Sequence, residues 1–104
     1  MTSGKVNPAD TKPETLARFD ELVEAFVRLR DPKSVAAFLR DVCTSNELDA
    51  IGQRLQVARL VDEGLAYQEI SRRTGASTAT VTRVAQWLHH GEGGYRQVLK
   101  KARS

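Results

Sequence analysis

Residues 67–86 read YQEISRRTGASTATVTRVAQ, and the spacing of their apolar, turn and small polar positions predicts a helix-turn-helix. Ile70 is the apolar anchor of a short first helix. Gly75 supplies a residue that turns with a positive backbone angle, and Ala76 seats that turn against the core. Ser77 is expected to cap the next helix, its hydroxyl accepting from free backbone N–H groups of the first turn. That helix carries Val81, Val84 and Leu88 at i, i+3 and i+7 and so has one buried side. Its other side carries Thr78, Ala79, Thr82 and Gln86, small or hydrogen-bonding residues that can lie against base edges without holding the backbone away from the groove. An ordinary two-helix corner would also use a Gly turn and a Ser cap. The full combination of anchor, turn, cap and small polar face favours a surface that reads DNA. Base-edge contacts are expected from Thr78, Ala79, Thr80, Thr82 and Gln86 beside the Ser77 cap, with Gln68, Arg72, Arg73 and Arg83 on phosphates or flanking the groove.

The charge distribution points the same way. Lys and Arg number 16 against 13 acidic residues. Residues 1–63 hold 9 basic and 11 acidic side chains, whereas residues 64–104 hold 7 basic and 2 acidic ones. The excess falls on the half that contains the helix-turn-helix, and with a pI near 9.4 it favours a polyanionic partner, because phosphate neutralisation supplies most non-specific nucleic-acid affinity. A chain of 104 residues with 40% hydrophobic content is expected to form one domain, near the size where association helps.

Working outward, residues 1–13 offer one isolated Val6 among Ser, Gly, Pro, Asp and Lys, too little apolar surface to offset ordering entropy, and read as a disordered tail. The single domain is then 14–104, divided into scaffold and dimerisation helices over 14–63, the helix-turn-helix over 65–90 and a C-terminal helix over 93–103. From Pro13 to Arg30 apolar residues recur at three- and four-residue steps: Leu16, Phe19, Leu22, Val23, Phe26 and Leu29. With Ala25 and Val27 they spread over roughly 200° of arc, wider than the stripe one neighbour covers. A second chain packed on this helix would account for that width, so a homodimer is expected.

Asp31-Pro32 reads as an N-cap followed by proline at the first helical position. Val35, Phe38, Leu39 and Val42 form the stripe of this second helix. Thr44-Ser45-Asn46-Glu47 matches a capping box, and a third helix runs to Glu63 before Gly64 stops it. Leu48, Ile51, Leu55, Ala58 and Val61, with Ala50 and Val57, are expected to cover about half of its circumference. Arg54 falls inside that arc and needs a partner, either Glu47 in a structural ion pair or an anionic ligand in a pocket. After the glycines at 91, 93 and 94, Tyr95, Val98, Leu99 and Ala102 mark a last short helix.

Other chemistry finds little footing. Cys43 is the one cysteine, which excludes an internal disulfide and suits a reducing compartment. His89 and His90 point about a hundred degrees apart on a helix and have no acidic or thiol partner at a ligand spacing, so no metal site and no cofactor is expected. No nucleophile elbow or phosphate-cradling loop occurs, so no catalytic residues are assigned and an enzyme is not expected. Trp87 lies at the margin of the apolar side, in a position for core or dimer packing. With neither a membrane-spanning run nor a signal peptide, the expected location is the cytoplasm.

The words CTSNELDAIGQRLQVARLVDEGLAYQEISRRTGASTATVTRV, residues 43–84, together with the order of elements from about 15 to 100, resemble the Trp repressor superfamily, most closely its YerC/YecD branch of Trp repressor-related proteins. The most specific parts are the TSNE start, Gly52-Gln53-Arg54 and the GASTATVTRV of the second helix. The resemblance implies an all-α, Trp repressor-like helical bundle that forms an intertwined homodimer, with one helix-turn-helix per subunit, and regulates transcription on double-stranded DNA. In the tryptophan-responsive members a corepressor sits between two arginines, near a threonine that starts the scaffold helix, and Thr44, Arg54 and Arg83 match those positions. Val84 stands where that repressor has glycine, and the segment from Gly64 to Gly75 is one residue shorter. A branched side chain there narrows the space an indole would fill, so L-tryptophan is not the expected effector and any small-molecule effector is left unnamed. The rival reading is an adaptor that uses a helix-turn-helix-like surface on the transcription machinery.

Overall fold

The computed structural model describes residues 11–103, and among these all regular structure is helical. Most of the tail expected over 1–13 therefore lies outside the described residues. Six helices follow in order: α1 (Pro13–Arg28), α2 (Pro32–Val42), α3 (Ser45–Asp62), α4 (Tyr67–Thr74), α5 (Thr78–His90) and α6 (Gly94–Arg103). They fall into two compact units, with α1 and α2 in the first and α3 to α6 in the second, the division lying between Val42 and Cys43.

In the first unit, Pro13 opens α1 where its missing N–H costs nothing, and the Lys12 carbonyl accepts from Thr15 and Leu16. The helix stops at Arg28, two residues short of the periodic pattern, because Leu29 is already extended ahead of the next cap. Asp31 provides that cap as expected: one carboxylate oxygen accepts from the Ser34 backbone N–H at 2.9 Å and the other from the Ser34 hydroxyl at 3.1 Å. Phe26 of α1 meets Phe38 of α2 edge to face, with ring centroids 5.4 Å apart, a favoured arrangement of the two ring quadrupoles. Yet neither helix has a buried residue. Phe19, Leu22, Val23 and Phe26 are 40–45% exposed, and Val27 is 70% exposed.

The second unit holds the core. Thr44 and Glu47 form the expected capping box, the Thr44 hydroxyl accepting from the Glu47 N–H (3.1 Å) and the Glu47 carboxylate from the Thr44 N–H (2.8 Å). At the other end of α3, Gly64 takes φ 89°, the Leu65 N–H donates to the Leu60 carbonyl and the Gly64 N–H to that of Val61. These two bonds satisfy carbonyls the helix leaves open, and they bring Leu65 back onto the core with Leu60. The core comprises Val57, Ala58 and Val61 of α3, Ile70 of α4, Ala76 of the turn, Val81, Val84, Ala85 and Leu88 of α5, and Leu99 of α6. Tyr95 and Leu55 lean on it.

Three expectations about faces are corrected. The buried positions of α3 lie only in its C-terminal part, because α4, α5 and α6 pack there; Leu48 is half-buried and Ile51 is 50% exposed. Arg54 is exposed, so no burial cost demands a partner, and the Glu47 carboxylate is occupied by its cap. On α6 the core takes Leu99, while Val98 faces outward.

Candidate nucleic-acid interface

Two helices, α4 and α5, and the residues Gly75, Ala76 and Ser77 between them form the predicted unit. Gly75 adopts φ 77°, the left-handed conformation that L side chains rarely occupy. Local bonds close the turn. The Gly75 N–H donates to the Ser71 carbonyl at 2.9 Å, and the Ser71 hydroxyl donates to the Ala76 carbonyl at 2.5 Å. The Thr74 hydroxyl donates to the Ile70 carbonyl at 2.8 Å and accepts from the Ala76 N–H at 3.1 Å. From the scaffold, the Gln53 side-chain amide donates to the Thr74 carbonyl at 3.2 Å. The sequence reading missed this tie of α3 to the turn; a glutamine gives no periodicity signal that would reveal it.

Ser77 caps α5, its hydroxyl accepting from the Thr80 N–H at 3.1 Å and bonding the Thr80 hydroxyl at the same distance. Thr80 is half-buried, so both of these side chains are committed to the helix start. Thr78, Ala79, Thr82, Arg83 and Gln86 are exposed, opposite the buried Val81, Val84, Ala85 and Leu88. The Thr82 hydroxyl donates to the Thr78 carbonyl at 3.0 Å, leaving its oxygen free to accept.

Gln68, Arg72 and Arg73 are exposed along α4. Both arginines engage Glu69, a residue the sequence reading passed over. Arg72 binds it through Nε (3.0 Å) and a terminal nitrogen (2.5 Å), and Arg73 through Nε (2.7 Å). Hydrogen bonds from Arg72 and then Arg73 hold the Glu69 carboxyl down at about 2. Because this value lies below that of an unfolded carboxyl, any stabilisation is present above the ordinary carboxylate range and is lost as pH falls through about 2.

The residues matched to an effector pocket lie at the start and middle of α3 and on α5. Thr44 caps the start of α3 and Arg54 is exposed ten residues on, about 15 Å along the helix axis from backbone to backbone. Arg83 is exposed on α5, and Val84 is buried in the core. Burial pushes the Tyr95 phenol up, partly offset by the positive charge of Arg54. Among the described residues no three His, Cys, Asp or Glu side chains are grouped to hold a metal ion, and no helix is long and apolar enough to cross a membrane.

A short anchoring helix, a left-handed glycine turn and a capped second helix with one face buried define a helix-turn-helix protein of the all-α class. Residues 17–103 match the family described as Trp repressor protein. The chain belongs to this Trp repressor family, which is a family of regulators and not of enzymes. It is 39% identical over 84 residues to the uncharacterised protein YerC of Bacillus subtilis (strain 168), covering 81% of each chain. It is 34% identical over 65 residues to a Trp operon repressor homolog of Haemophilus influenzae (strain PittEE), covering 62% of this chain and 64% of that one. Among solved structures, a TrpR-like protein from Eubacterium eligens superposes with a TM-score of 0.75 at 38% identity, covering 81% of this chain and 87% of that one. A candidate Trp repressor from Staphylococcus aureus gives 0.77 at 36% identity, covering 90% and 96%.

Proposed function

We propose that the protein is a sequence-specific, DNA-binding transcriptional regulator of the cytoplasm, acting as a repressor by occupying operator DNA as a homodimer. The observation that carries this reading is the division of α5: Val81, Val84, Ala85 and Leu88 are buried, while Thr78, Ala79, Thr82, Arg83 and Gln86 are open. A helix so held presents small and hydrogen-bonding groups to base edges in the major groove. Its base-edge set is Thr78, Ala79, Thr82 and Gln86, with Ser77 and Thr80 shaping the helix start. Gln68, Arg72, Arg73 and Arg83 hold the phosphates that fix its register.

The apolar surface of α1 supports the dimer. Phe19, Leu22, Val23 and Phe26 cost free energy in water, and a second copy that covers them completes the single domain over 14–104. L-tryptophan is not an effector in this reading. Val84 fills core space beside Leu88, so the order of the helix-turn-helix is built in and DNA binding needs no corepressor.

A salt-dependent gel shift on genomic fragments is the deciding experiment. Retention of particular fragments at physiological salt is expected, and absence of any retarded fragment at low salt would favour the adaptor reading. Calorimetry with millimolar L-tryptophan is expected to show no saturable heat; binding that also tightens DNA affinity several-fold would restore the corepressor.

A further inference from the structure

The helix-turn-helix half of the chain has two acidic residues, Glu69 and Glu92, and Glu69 sits on the helix assigned to phosphate contact. A carboxylate there repels the backbone it faces, so its position calls for an account. Its spacing supplies one. Glu69 precedes Arg72 by three residues and Arg73 by four, so the two arginines lie one turn on, flanking its line on either side, and both reach its carboxylate. Arg72 spends Nε and a terminal nitrogen on the carboxylate, whereas Arg73 spends Nε alone and keeps both terminal nitrogens out of the bond. The side chains of Arg72 and Arg73 are still 71% and 53% exposed. The three side chains therefore gather two guanidinium groups on one carboxylate, with a combined charge of plus one.

We propose that Glu69 is a positioning residue that restrains sequence-independent DNA affinity, by holding Arg72 and Arg73 together and cancelling one of their two charges. This rests on the DNA-binding reading above. Phosphate attraction is the same for every sequence, so removing one unit of it lowers the background against which base contacts of α5 are read. The Glu69 carboxyl is held far below neutrality, so the restraint persists throughout the physiological pH range. A helix-stabilising ion pair alone would support α4 without touching the electrostatics of binding.

The test is fluorescence anisotropy with a labelled random-sequence duplex, titrated from 50 to 200 mM KCl. The proteins compared are the wild type, Glu69→Gln and Glu69→Gln combined with Arg73→Gln. Glu69→Gln is expected to bind more tightly at 50 mM and to show a slope of log affinity against log salt steeper by about 0.9, so that it loses about threefold more affinity than wild type across that range. The double variant, matched to wild type in charge, is expected to return to the wild-type slope. An unchanged slope with a lower melting temperature would reduce Glu69 to a helix support and overturn the proposal. Weaker binding by Glu69→Gln would overturn it too, by showing that the arginines need the carboxylate to bind at all. If the wild type fails to bind the duplex at any salt, the DNA-binding reading falls and this proposal falls with it; a wild type that binds while the single variant matches it refutes the restraint alone.

Discussion

The two units of the chain solve the burial problem in opposite ways. Helices α3 to α6 and the turn at Ala76 contain every residue of the buried core among the described residues, from Val57 to Leu99. Helices α1 and α2 carry all three phenylalanines, Phe19, Phe26 and Phe38, and bury none of them. A unit with its own core is stable in itself and can hold a reading surface rigid. A unit that keeps its apolar surface open is fitted to association, and its order depends on what covers it.

The largest expected effect tests that contrast directly. Phe26→Asp places a charge on the surface proposed to meet a second chain, where an unpaired carboxylate costs several kcal/mol once buried. Analytical ultracentrifugation should show a dimer for the wild type at micromolar concentration and monomer, unfolded protein or aggregate for the variant. A wild-type monomer at that concentration would remove the dimer. Within the second unit, Leu88→Ala empties part of a side chain that is 2% exposed, and should cost about 2–5 kcal/mol in urea unfolding. A loss below about 1 kcal/mol would mean that the reading head does not depend on its own core.

Next in size are changes that leave both units folded. Thr82→Ala and Gln86→Ala remove exposed polar groups of α5 and should alter preference among operator variants by about 1–3 kcal/mol where a base contact is lost. Competition binding against random duplex measures this. Equal weakening on all sequences would transfer these residues to phosphate positioning.

The contrast also explains what the sequence could show. Residues whose role is set by local geometry were legible. Gly75 had to turn left-handed, Ser77 and Thr44 had to cap, and Val81, Val84 and Leu88 had to share a face; the structure places each so. Residues whose role depends on tertiary contact were not. Periodicity on α3 could not say that burial would be confined to Val57, Ala58 and Val61, since that depends on where α4 to α6 cross it. It put Arg54 in an apolar arc that only partly exists, and so asked for a partner, Glu47 or an anionic ligand, that an exposed side chain does not need. Glu69 was missed for another reason. Its two arginines were assigned to phosphates one by one, although spacings of three and four residues already put each within reach of its carboxylate.

The smallest expected effect concerns the joint between scaffold and reading head. The Gln53 amide reaches the Thr74 carbonyl at the end of α4, where a helix carbonyl has no partner of its own. Thr74 in turn accepts from the Ala76 N–H, so Gln53 fixes the turn at the point that aims α5. Gln53→Ala removes one part-buried hydrogen bond, worth about 0.5–1.5 kcal/mol, and also some packing volume. Gln53→Met keeps most of the volume and removes only the donor. If the bond aims α5, both variants should unfold at slightly lower urea and bind operator and random duplex several-fold more weakly, since a misdirected helix loses phosphate and base contacts together. If packing alone matters, Gln53→Met should behave as wild type in both measurements, and the joint would then rest on Ser71, Thr74 and Gly75 within the helix-turn-helix itself.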